Sequence, residues 1–70
     1  MEKKYIFKGK TLKLVIEPDI VGTYLIVYRN PSQDISDEDY LLDSLEEAFQ
    51  YAFDKFGVKR EEFQGNCSVP

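Results

Sequence analysis

At seventy residues the chain has room for one hydrophobic core and not two, and it lies near the lower size at which a core suffices without disulfides or a metal. An apolar fraction of 43%, with five tyrosines and five phenylalanines, excludes a disordered composition, and a net charge of −4 sets the chain as a whole against phosphate backbones and anionic membranes. Histidine is absent and cysteine occurs once, which excludes imidazole-dependent triads, a Cys/His zinc site and an intramolecular disulfide.

The first predicted element is a strand over residues 3–8, where Tyr5 and Phe7 alternate with Lys4, Ile6 and Lys8. Residues 11–17 repeat the pattern, with Leu12, Leu14 and Ile16 on one side and Lys13, Val15 and Glu17 on the other. Gly9-Lys10 between them suits a two-residue type II′ turn. That turn would set Phe7 opposite Leu12, Tyr5 opposite Leu14 and Ile6 opposite Lys13, with the apolar residues sharing one face. These first 17 residues carry five lysines against two acids.

Pro18-Asp19 is expected to end the second strand, with Ile20 to Gly22 as a loop. Residues 23–29 read as a third strand, rich in aromatic and β-branched residues and apolar on both sides. The loop before it does not fix its register. Leu25 and Val27 are assigned to the core side, because the hydroxyls of Tyr24 and Tyr28 want water or a partner.

Residues 33–43 form an acidic connector with Asp34, Asp37, Glu38, Asp39 and Asp43, in which Tyr40 to Leu42 make either a short fourth strand or a lid. An amphipathic helix follows over 44–57. Leu45, Ala48, Phe49, Ala52, Phe53 and Phe56 fall on one stripe, each large side chain contributing about 1.5–3 kcal/mol if fully buried. Ser44 with Glu47 is a capping box, and Gly57 suits the left-handed residue that stops a helix. Beyond Val58 and Phe63, residues 64–70 read as a loose tail. The expected fold is α+β: a single domain over 1–70 with a small antiparallel three-stranded sheet in β-β-β-α order, a possible short fourth strand, and one helix packed on one face.

Chemistry has little foothold. The four glycines are scattered, so no phosphate-binding loop exists. The acidic connector lacks the central glycine and closing glutamate of a calcium loop, since the twelfth position counted from Asp34 is Leu45. A pair of carboxylates acting as acid and base needs a walled cleft, and so small a domain has little interior for one. Asn66-Cys67-Ser68 matches a glycosylation acceptor by letter only, because no basic segment followed by an apolar run opens the chain. The expectation is therefore a cytoplasmic protein that is not an enzyme, with no catalytic residues, no cofactor, no metal and no membrane span.

The run Tyr24-Leu-Ile-Val-Tyr-Arg29, the acidic connector, Ser44-Leu-Glu-Glu-Ala48 and Phe56-Gly57-Val58 together resemble a group of short, uncharacterised bacterial proteins with a strand, an acidic loop and a helix of the form SLEEAxxxAxxxFGV. The likeness spans residues 24–63. Members often carry a tryptophan before the helix and another after it, where this chain has Tyr40 and Phe63 nearest. The resemblance implies a bacterial source and brings no established activity or functional residues.

What remains is binding. With the core on one side, the other sheet face would hold Ile6, Val15, Tyr24, Ile26 and Tyr28 rimmed by lysines, a candidate surface for self-association or a protein partner, as in accessory, immunity or antitoxin-like proteins. Asp34, Asp37, Glu38 and Asp39 form a candidate acidic surface suited to a basic partner. The alternative is a nucleic-acid accessory protein using the N-terminal lysines. It ranks lower, because Tyr5 and Phe7 are expected to point to the core, away from Lys4, Lys8 and Lys13. The competing structural expectation is that the connector or the tail folds back to cover the face.

Overall fold

The structure, a computed structural model, describes residues 4–66. Four strands, β1 (Lys4–Lys8), β2 (Lys13–Asp19), β3 (Gly22–Tyr28) and β4 (Glu38–Leu42), run as an antiparallel meander. The helix α1 (Leu45–Phe56) and a single 3₁₀ turn (Arg60–Glu62) lead to β5 (Gln64–Asn66), and the sheet order is β4-β3-β2-β1-β5. Since β4 and β5 occupy opposite edges, the chain between them has to cross the sheet. The helix makes that crossing over one face and leaves the other uncovered by any helix among the described residues. This is the expected α+β class, with Tyr40 to Leu42 in a fourth strand rather than a lid, and with a fifth strand besides.

The first hairpin departs from its expected turn. Phe7 faces Leu14, Tyr5 faces Ile16 and Ile6 faces Val15, so β2 is displaced by two residues and the loop takes residues 9–12. A type II′ turn needs a positive φ at Gly9, and among the described residues the positive values belong to Gly22 and Gly57. Instead the Gly9 N–H donates to the Leu12 carbonyl at 2.7 Å. A slip of two preserves which side chains share a face, and so the expected faces survive the wrong register. The tight two-residue hairpin lies one corner later, where Asp19 pairs with Gly22 around Ile20-Val21. Pro18 consequently does not end β2 but lies within it, opposite Thr23.

The core is built from Leu14 and Ile16 of β2, Leu25 and Val27 of β3, Ala48, Phe49 and Ala52 of α1, and Val58 and Phe63 beyond the helix. Leu25 and Val27 take the helix side as expected, and with Leu14 and Ile16 they are fully buried. Phe49 stands edge-on to both Tyr5 and Phe63, with ring centroids 5.3 Å apart in each case. Ser44 caps the helix, its hydroxyl accepting from the Glu47 N–H at 3.2 Å. Gly57 ends it in the left-handed region at φ 71°, donating to the Phe53 carbonyl at 2.9 Å.

The helix stripe needs one correction. Phe53 is 49% exposed, whereas Tyr51, on neither face of the expected pattern, is half-buried against the core. Both residues neighbour the fully buried Ala52, and a helix turns about 100° per residue, so they flank the stripe's centre on opposite sides. Tyr51 meets the Tyr40 ring of β4 at 4.9 Å. The other correction concerns the tail. Phe63 is anchored by Phe49 and by Phe7, whose ring lies at 6.2 Å. That anchor delivers the next residues to the edge of β1, where Gln64 pairs with Ile6, Gly65 with Tyr5 and Asn66 with Lys4. The rest of the expected tail, Cys67 included, lies outside the described residues.

Candidate protein-interaction face

Successive strand residues point to opposite faces, and the buried Leu14, Ile16, Leu25 and Val27 therefore send their neighbours the other way. Ile6, Val15, Tyr24, Ile26 and Tyr28, the five residues expected there, all stand at positions of the face turned away from α1. Cross-strand pairing arranges them in rows. Ile6, Val15, Ile26 and Asp39 make the middle row, running from β1 to β4. On one side of it Glu17, Tyr24 and Leu41 are neighbours, and Lys4 reaches Glu17 at 3.8 Å. On the other side lie Lys8, Lys13 and Tyr28, with the Lys13 ammonium 4.9 Å from the centre of the Tyr28 ring.

Burial follows position in the sheet. Val15, flanked by Ile6 and Ile26, is 8% exposed, while Ile6, Tyr24, Ile26 and Tyr28 are half-buried. Leu41, 52% exposed, extends the apolar surface and was missed from sequence. The signal was present. If Tyr40 and Leu42 serve the core, period two sends Leu41 outward. Ile20 and Val21 are largely exposed at the tip of the β2–β3 hairpin. Charge on the face is graded: Lys4, Lys8 and Lys13 belong to β1 and β2, with Glu17 of β2 beside Lys4, and Asp39 belongs to β4.

Of the four residues of the candidate acidic surface, Asp37 and Glu38 are held by neighbouring side chains and backbone. The Asp37 carboxylate accepts from the Arg29 backbone N–H at 2.7 Å and from the Gln33 amide at 3.0 Å, which closes the β3–β4 loop on itself. Glu38 accepts from the Arg29 guanidinium at 2.6 Å and from the Tyr40 hydroxyl. The hydrogen bonds from Tyr40 and Arg29 hold the Glu38 carboxyl below its usual range, and Glu38 in turn pushes the Tyr40 phenol up to about 12. Only Asp34, exposed in the loop, and Asp39, on the open face, are left of the four without such a bond in this network. Among the described residues no three acidic or cysteine side chains gather as a metal site would require, and no helix is long and apolar enough to cross a membrane. Comparison with protein-family profiles, with curated proteins and with solved structures finds no match to this chain.

Proposed function

We propose that the protein is a small non-enzymatic interaction module that acts by presenting the open face of its sheet to a protein surface. One observation carries this: an apolar surface of Ile6, Val15, Ile26 and Leu41, with Tyr24 and Tyr28 among them, stands on the side of the sheet that α1 does not cover. Of the two expected covers, Glu38–Leu42 of the connector forms β4 and Gln64–Asn66 of the tail forms β5, both at the edges, while residues 67–70 lie outside the described residues. Tyrosines and aliphatic residues rimmed by charge are the composition of association sites. A single cysteine suits a reducing compartment such as the cytoplasm. The test compares Ile26→Lys with Leu14→Lys. Ile26→Lys should melt as a folded domain and lose association, whereas Leu14→Lys should not fold; equal unfolding of both would make Ile26 core and abolish the site.

A nucleic-acid accessory role is the second reading, favoured by the position of Tyr24 and Tyr28 on the face that carries Lys4, Lys8 and Lys13. Tyr5 and Phe7 take no part, being packed against Phe49 and Phe63. Against it, Lys4 is paired with Glu17, and Lys13 already covers the Tyr28 ring. Binding to single-stranded oligonucleotides that weakens steeply with salt would establish it, and no mobility shift at low salt would remove it.

A further inference from the structure

We propose that the partner of the open face is a second copy of this chain, stacked face to face about a two-fold axis that runs along the strands between β2 and β3. The inference rests on the open face being the docking surface and adds the occupant and its orientation. Two sheets that stack with their strands aligned lie about 10 Å apart, and two-fold symmetry allows the in-plane axis to run either along the strands or across them. An axis across the strands sets β1 over β1 and β4 over β4. Lys4 and Lys8 would then face the same lysines of the second copy, and Asp39 would face Asp39. An axis along the strands sets β1 over β4 instead. Lys8, one row from the middle, then comes within reach of the second copy's Asp39. Val15 and Ile26, adjacent at the centre of the face, meet the second copy's Ile26 and Val15. The Lys8–Asp39 pairs therefore complement one another with the axis along the strands. An axis across them sets like charges together on β1 and on β4 and leaves Glu17 facing Lys13 on β2 as its one favourable pairing.

The size of the face sets the strength. Four strands of five to seven residues offer a flat area of roughly 400 Å². That is small for a dimer, so association is expected at concentrations of about 10–500 µM. Sedimentation velocity across that range should show a reversible monomer–dimer equilibrium, abolished in Ile26→Lys. Lys8→Glu and Asp39→Lys should each weaken the dimer about tenfold, and the double variant carrying both should recover most of the loss, because each reversed charge meets the other across the axis. A wild-type chain that stays monomeric throughout would overturn the proposal, as would a double variant no better than the worse single one. Either result leaves the docking face itself standing so long as Ile26→Lys melts as a folded domain. Unfolding of Ile26→Lys would remove the face and the dimer together.

Discussion

Leu25 and Ile26 are neighbours on β3, nearly equal in volume and hydrophobicity, and they end on opposite sides of one sheet. Leu25 has no exposed surface, while Ile26 is half-buried. The same holds one strand over, where Leu14 and Ile16 lie under the helix and Val15 between them faces away. The two faces differ less in composition than in what lies over them. On the closed side α1 brings Ala48, Phe49 and Ala52, and Phe63 follows from beyond the helix. On the open side the strands carry more apolar surface than one helix can use. The part of that surplus still in water adds nothing to the stability of a small domain unless a second body covers it.

The largest effect that could break this contrast is a truncation on each side. Leu25→Ala should cost about 2–5 kcal/mol, since it removes a fully buried side chain and leaves a cavity. Ile26→Ala should cost about 1 kcal/mol or less, because its side chain is already partly in water. Urea melts of the two variants decide the matter, and equal losses would mean that the open face is a second core. Next in size is Gly22→Ala. A Cβ there would come within 2.6 Å of the Leu42 carbonyl on β4, so the variant should lose more than about 1 kcal/mol by forcing β4 away from β3. If it melts like the wild type, β4 is not held as closely as the pairing implies, and Asp39 and Leu41 do not belong to the face.

Which residues share a face was legible in the sequence, and which residues pair was not. Period two fixed the sides of β1 and β2 even though the turn was misplaced, since a register slip of two leaves each side chain on its own face. The assignment of β3 came from chemistry, in that Tyr24 and Tyr28 hydroxyls suit an open face better than a phenylalanine core. Less was visible at the ends. Gln64–Asn66 has no strand-like pattern of its own and pairs because Phe63 is clamped between Phe7 and Phe49, a tertiary cause that no local spacing reveals. Phe53, expected on the stripe, is half exposed, and Tyr51, expected on neither face, packs against the core, because both lie at the margin of the helix stripe, where the presence of Tyr40 decides. The acidic connector read as a charged surface, but Arg29, Gln33 and Tyr40 take up Asp37 and Glu38. Those bonds span from two to nine residues, and composition alone cannot show them.

A smaller effect sharpens the closed side. Ser44→Ala should cost about 1 kcal/mol, by leaving the Glu47 N–H without its capping hydroxyl. The loss should appear in thermal or urea melts and leave association through the open face unchanged. Weakened association in a folded Ser44→Ala variant would mean that the two faces are coupled through the helix, contrary to the division drawn above.

The smallest expected effect lies on β4, the strand that contributes to both sides, with Tyr40 and Leu42 packed against the core and Leu41 exposed on the open face. The Tyr40 hydroxyl donates to Glu38, and that bond, with partial burial and the carboxylate charge behind it, raises the phenol from its ordinary 10 to about 12. A group whose folded pKa is raised holds its proton more tightly in the folded chain. Its contribution to stability is therefore complete below pH 10 and is lost as pH climbs from about 10 to about 12. Glu38 behaves in the opposite sense. Its folded pKa lies below the ordinary carboxylate value, so its contribution is complete above the usual carboxylate range and is lost as pH falls through the folded value. Tyr40→Phe keeps the ring against Tyr51 and removes the hydroxyl alone. Relative to that variant, the wild type should hold a constant advantage through the neutral range and lose it between pH 10 and about 12. Ultraviolet titration should show one fewer late-ionising tyrosine in the variant. If wild type and variant lose stability in parallel through the alkaline range, Glu38 is not bound to Tyr40 in solution, and β4 is held to the core by Tyr40's ring and Leu42 without help from the hydroxyl.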